Sequence, residues 1–380
     1  MEQTYARARA LCAQIGETPQ LSPTLLGLWR FYRGRAALAT ARELGEQLFG
    51  LAQREADPLP RLEAHDALGT TLFCLGDYTA ARTHVEQGIA LADLTTQQAQ
   101  VLRNGEASGM RCLGVAANAL WCLGYPTQAM QRCQEALALA QELAHPYSLS
   151  VAQSWVVHLH HRRREVPAVQ AQSDALLTLS TAQGFTLMAG FGTCWRSWAL
   201  AMQGQGAAGL AQLHQGLAAI KATGSEQWWS LFLVVLAEAA GHAGQIDQGL
   251  RLLAEALTAL EASGQGDPLA EAYRLQGTLL LRRAVTNAVQ AEACFQQALA
   301  IARRQQASPG SCARPQAWHS SGSSRASGPR PACCWHRSTA GSPRALTRWI
   351  CRRPRRCWKR WEHKVILQKL LHYRHPLFPS

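Results

Sequence analysis

Small residues punctuate this chain at a near-constant interval. Ala41, Ala81, Ala129, Val169, Gly209, Gly249 and Ala291 each follow a turn and open an apolar helical stretch, at spacings of 40, 48, 40, 40, 40 and 42. The clearest unit spans residues 62–93. Its first half carries apolar or small residues at Leu62, Ala64, Leu68, Gly69 and Leu72, a stripe close to the 3.6-residue helical period. Gly76-Asp77 breaks that helix and Tyr78-Thr79 opens a second, striped at Ala81, Val85, Gly88 and Leu91. A fixed period of this length predicts stacked helix pairs, each burying its apolar face against its neighbours. Gly69 and Ala81 are small where the two helices of a pair should cross.

Leucine-glycine in the first helix, a Gly-Asp turn, alanine early in the second helix and a small residue seven later resemble the tetratricopeptide repeat. Residues 123–140, 243–260 and 287–302 keep the second half of this pattern. The resemblance covers residues 1–306 and implies an all-α, right-handed solenoid of about seven helix pairs. Two departures stand out. The unit is nearer forty residues than the family's thirty-four, and the unit over 124–169 has Arg162-Arg163-Arg164-Glu165 in place of the turn glycine. At a finer level, the stretches beginning at Leu28, Glu63 and Glu292 are similar to the repeat region of large bacterial AAA or signalling-ATPase and adenylate/guanylate cyclase proteins. That likeness implies a regulatory sensing or docking arm, with any catalytic domain elsewhere in the polypeptide.

Charge divides the chain in two. The net +13 resides wholly beyond residue 306: residues 1–306 carry 23 Lys+Arg against 24 Asp+Glu, and residues 307–380 carry 15 against 1. Five of the twelve cysteines and five of the twelve tryptophans also fall in this tail. Runs such as Arg355-Arg356-Cys357-Trp358-Lys359-Arg360 could contact phosphates and stack on bases. Read one base out of register, however, the tail can encode a continuation of the comb, with alanine possible at Pro331, forty residues after Ala291. The expectation is a frame-shifted, disordered tail over 307–380, without specific nucleic-acid binding. Residues 1–15 read as a second helix lacking its first, so the array should be part of a longer one. The longest apolar run, residues 231–237, is too short to span a bilayer. With no secretory leader and no Cys-x-x-Cys pair, a reduced, cytoplasmic protein is expected.

Candidate chemistry is sparse. There is no phosphate-binding loop, dinucleotide fingerprint, metalloprotease His pair or nucleophile elbow, so neither an enzyme nor a cofactor is expected. His158 and His161 share a helical face with Glu165 a turn further on, a spacing that could complete a metal site but more commonly marks packed or solvated histidines. Arg162, Arg163 and Arg164 read as a solvated helix end. In the tetratricopeptide architecture the first helices line a concave groove. Counting back eleven and eight residues from each comb position places Arg30 and Arg33, Thr70 and Phe73, Asn118 and Trp121, His158 and His161, Trp198 and Ala201, Glu238 and Gly241, then Leu280 and Arg283 on that face. Arg30, Arg33, Phe73, Asn118, Trp121, His158, His161, Trp198, Glu238 and Arg283 are the candidate partner-binding residues. They suit a protein or peptide with carboxylates and a few apolar anchors. The alternative class is a ligand-sensing arm of a transcriptional regulator, marked by a closed apolar pocket instead of an open polar groove.

Overall fold

The computed structural model describes residues 21–308, together with Thr4, Arg7 and Leu11, and gives Arg103 and Asn104 as backbone only. The expected lone helix over residues 1–15 and the tail beyond residue 308 lie outside this described part. Within it there are fifteen α-helices and no strand. Seven pairs follow one another: α1 (Leu21–Gly34) with α2 (Leu38–Ala52), α3 (Pro58–Leu75) with α4 (Tyr78–Leu91), α6 (Ser108–Leu123) with α7 (Pro126–Glu142), and α8 (Pro146–Arg162) with α9 (Val166–Gln183). Then come α10 (Thr186–Met202) with α11 (Gly206–Ala222), α12 (Trp229–His242) with α13 (Ile246–Ser263), and α14 (Leu269–Arg283) with α15 (Ala288–Arg304). This is a tetratricopeptide-like helical-repeat solenoid.

The unpaired helix α5 (Leu94–Asn104) accounts for the one 48-residue step in the comb. It earns its place by capping. Gln100 Oε1 accepts the Ser108 N–H at 2.8 Å and Gln97 Oε1 accepts the Gly109 N–H at 3.0 Å. Two of the donors that any helix leaves unsatisfied at its N-terminus are thereby met by side chains of the inserted helix.

Every comb residue is buried. Each opens a second helix where it crosses the preceding first helix, and at Gly209 and Gly249 the crossing leaves no room for a side chain. A Cβ on Gly209 would lie 2.7 Å from the Ser197 carbonyl oxygen. The forty-residue period also fixes the turns. Gly76, Gly124, Gly204 and Gly244 take positive φ between the helices of a pair, and Ala36 and Arg164 take the same conformation at φ 55° and 61°. The missing turn glycine therefore leaves the turn intact, with a strained arginine in its place.

Successive first helices pack against one another, whereas the second helices pack mainly against the first helices on either side. The first helices thus form the inner layer. That layer curls until separate turns of the solenoid meet. Glu226 and Gln227 donate their N–H groups to the Gly34 carbonyl, Gly266 and Asp267 to that of Cys74, and Ser308 to that of Cys122. At the middle contact a Cβ on Gly266 would sit 2.2 Å from the Leu75 carbonyl oxygen, so only glycine allows the two backbones to close. The apolar core divides correspondingly, one cluster running through α8–α14 and another through α2–α8.

Candidate functional site

The inner layer carries charged and aromatic side chains where a core would be aliphatic. They fall into three groups.

The first surrounds Arg111 near the start of α6. Its guanidinium is fully buried and forked onto Asp66 of α3, with Nε at 2.9 and 3.0 Å from the two carboxylate oxygens, and it also pairs with Glu106. Thr70 donates to Asp66 at 3.1 Å. Arg30 of α1 reaches Glu106 at 3.4 Å, and Arg33 lies over the Trp29 ring at 4.8 Å. Burial opposes ionisation of Glu106, but the charges of Arg111 and Arg30 outweigh it and hold the carboxyl down at about 2. Arg33 has no acid of its own; burial and then the Arg111 charge pull its proton affinity down.

The second group spans α8, α10, α12 and α14. His158, Trp198 and Glu238 stand forty residues apart, at one register of successive first helices. Trp198 Nε1 donates to Glu238 at 2.9 Å, His161 approaches the same carboxylate at 3.5 Å, and Arg164 bonds it at 2.6 Å while also bonding Glu271 at 2.9 Å. The acid stays ionised: burial resists, and Arg164 followed by His161 prevails, so its pKa lies well below the usual carboxylate range. His158 stacks against Trp195 at 5.5 Å and Trp155 at 6.3 Å. Burial, then Arg162, keep it neutral. The space left beside it is about 10 Å³, enough for one water.

The third group fastens the turns together. Arg162 clasps Asp267 with 2.7 and 2.6 Å bonds, and the Tyr78 hydroxyl donates to the same carboxylate at 3.0 Å.

The predicted positions scatter over these groups. Arg30 and Arg33 belong to the first and remain partly exposed. His158, His161, Trp198 and Glu238 belong to the second. Phe73 is buried against Trp155 and Tyr78. Asn118 is fully buried and donates to the carbonyls of Gly114 and Trp155, joining α6 to α8. Trp121 is half-buried under Arg163. Arg283 stands apart, exposed and paired with Asp247 at 3.0 Å.

One expectation is overturned: Arg162, Arg163 and Arg164 are not a solvated helix end. All three are partly buried, and two of them bridge to acids more than a hundred residues away in the chain, Arg162 to Asp267 just before α14 and Arg164 to Glu271 within it. Glu165 turns from His158 and His161 to bond His160 and Arg163. Among the described residues no group of His, Cys, Asp and Glu could hold a metal ion. None of those helices is long and apolar enough to cross a membrane. Asp66, Glu106, Arg111 and Asp267 were missed by the register count. The available signal was a charge embedded in an apolar helix, as in residues 62–75, which must be paired to be buried.

No protein-family model matches the chain. An uncharacterised protein of Rhizobium meliloti (strain 1021) is 22% identical over 227 residues, 60% of this chain, and the chain spans only 22% of that protein's length. The solved structures it resembles share its fold. A Rap protein complexed with Competence and Sporulation Factor aligns over 78% of this chain and 80% of its own, at 11% identity and a TM-score of 0.61. Aspartyl phosphate phosphatase F from Bacillus subtilis aligns over 74% and 70%, at 10% identity and 0.53. The apo form of RapI aligns over 75% and 98%, at 9% identity and 0.52.

Proposed function

We propose that this chain is a non-catalytic docking scaffold whose inner helix layer receives a segment of a protein partner. The carrying observation is that this layer holds polar donors with nothing to donate to among the described residues: Arg30 Nε, Arg33 Nε and Trp121 Nε1 are buried without a hydrogen-bond acceptor there. Burying such donors costs stability unless something completes them. On this reading Arg30, Arg33 and Trp121 meet the partner, and Glu238, already held by Arg164 and Trp198, braces the layer behind them. The more deeply buried Phe73, Asn118, His158, His161 and Trp198 hold them in place, and Arg283 extends the face at the far end. The likeness in fold to a protein crystallised with a factor supports the same use of the solenoid.

The wider setting we infer is the docking or sensing arm of a cytoplasmic bacterial signalling ATPase or nucleotide cyclase. The phrase-level resemblance supports it, as does a match to a small part of a much longer relative. A small-molecule sensing arm is less well supported. The space at His158 admits about one water, and the recess of about 610 Å³ near Trp229 is lined by charged side chains, Arg35, Lys221, Glu226 and Glu255 among them, unlike a closed apolar pocket.

The test is selection of displayed peptides against the full chain, repeated with Arg30→Glu/Trp121→Ala and with Val289→Glu on the exposed face of α15. The expected outcome is a set of sequences lost from the inner-layer variant and kept by Val289→Glu, with helicity unchanged in circular dichroism. Equal binding by all three proteins would sink the assignment.

A further inference from the structure

The Arg111 group does not balance. Three guanidiniums, Arg30, Arg33 and Arg111, share two carboxylates, Asp66 and Glu106. Arg111 takes both acids at hydrogen-bonding distance, and Arg30 has only the 3.4 Å approach to Glu106, with no hydrogen bond from Nη2. Arg33 rests on Trp29 with its Nε buried and unaccepted. An arginine cannot escape such a place by losing its proton, and a guanidinium with its Nε buried and unaccepted gains from an anion that completes it. Elsewhere in the inner layer Arg162 is matched by Asp267 and Arg164 by Glu238 and Glu271, while Arg61 of α3 also keeps a buried Nε without a partner but lacks an aromatic platform like that of Arg33. Among the described residues the Arg111 group is short of one negative charge. Access exists, because the Arg30 and Glu106 side chains are 26% and 20% exposed.

We infer that Arg33, with Arg30 beside it and Trp29 beneath, is a subsite for one carboxylate of the docked segment. This rests on the docking reading above and names the chemistry that reading leaves open. A carboxylate supplies one charge and a planar pair of acceptors that matches a guanidinium edge. A phosphomonoester brings close to two charges at neutral pH, more than the cluster lacks, and would face Asp66 and Glu106 with an excess.

The experiment uses the full chain and begins with acetate as the probe. Its thermal midpoint is followed against acetate and against chloride at matched ionic strength, for the natural chain, Arg33→Gln and Arg33→Lys. Acetate should raise the midpoint of the natural chain saturably, by about 2–4 °C at tenfold excess over its dissociation constant. Arg33→Gln should abolish that rise and Arg33→Lys should retain part of it. Without acetate, Arg33→Gln should melt no lower than the natural chain, because among the described residues Arg33 makes no ion pair to lose. A chloride response equal to the acetate response, an acetate response surviving in Arg33→Gln, or a lower midpoint for Arg33→Gln would each overturn the assignment.

Peptides then distinguish the source. N-acetylated peptides with one Asp and an amidated end are compared with ones whose only carboxylate is the chain terminus, and with a phosphoserine version. Tighter binding of either carboxylate class, lost at least tenfold in Arg33→Gln, supports the subsite and says which carboxylate it takes. Preference for the phosphopeptide overturns it. Peptides bound equally by the natural chain and Arg33→Gln also overturn it, while leaving the docking reading intact. A specific acetate response in a protein that binds no peptide supports the subsite and removes the docking reading instead.

Discussion

Around Glu238 and around Arg111 the same inner layer buries charge, and the two clusters are finished differently. Glu238 is met by Arg164, His161 and Trp198, and Glu271 by Arg164 and Arg274. Those groups also tie α8, α10, α12 and α14 together, so the pairing is spent on assembling the solenoid. Around Arg111 one pairing is equally complete, with Asp66 beneath it, yet Arg33, which shares the Trp29 ring with Arg111, has only that aromatic face among the described residues. Purely structural charge is closed on itself. Charge left open inside a folded array is where recognition is to be sought.

Removing an acid from each cluster should separate them most sharply. Asp66→Ala takes the bidentate acid from Arg111, whose side chain is 5% exposed, and leaves it only the single bond to Glu106, so it should cost about 3–5 kcal/mol in urea unfolding. Glu238→Ala leaves Arg164 its second acid, Glu271, and should cost roughly half as much. Equal losses would mean that Glu271 does not compensate.

Acid should act next. His65 and His84 face each other at 3.2 Å beside Phe49, near the first cluster, with Arg61 as the adjacent charge. Burial, then His84, hold His65 neutral down to about 4, against 6.5 in the unfolded chain. The unfolded state therefore takes up the proton first. Stability is intact above pH 6.5, declines as pH falls toward about 4, and levels off below, a change of at most about 3 kcal/mol. The double variant His65→Gln/His84→Gln should flatten that part of the urea-midpoint profile. His161, which has Glu238 beside it, should contribute less than this unaccompanied pair.

The smallest effect concerns the strained turn. Arg164→Gly relieves a left-handed arginine, worth roughly 1–2 kcal/mol, but removes the bridge to Glu238 and Glu271. The two terms nearly cancel, so a net loss of about 1 kcal/mol is expected in urea. Gly204→Ala offers the contrast, because it adds strain at the same register and removes no ion pair. A stabilised Arg164→Gly would show that the second cluster is not held by this turn.

Much of the architecture was legible because it repeats. A small residue every forty positions, with a left-handed turn five residues before it, is a local requirement met six times, and the structure meets it even where arginine replaces glycine; the last pair is joined through a 3-10 turn instead. The inserted helix α5 left its trace only as one long step, since its role depends on Gln97 and Gln100 reaching a helix end that the spacing does not reveal. The register count placed His158, Trp198 and Glu238 together because helices stack in sequence order. It missed Asp66 and Arg111, which face each other across neighbouring helices at unrelated registers.

What the sequence by itself determined is therefore the helix pairs, their order and the face on which each small residue lies, all set by period and sterics within about forty residues. What only the tertiary structure decided is how far the array curls and which charges end up beside one another. Asp267 meets Arg162 and Tyr78 across 105 and 189 residues of chain. Such partners are set by the accumulated rotation of many pairs, and no local pattern encodes that sum.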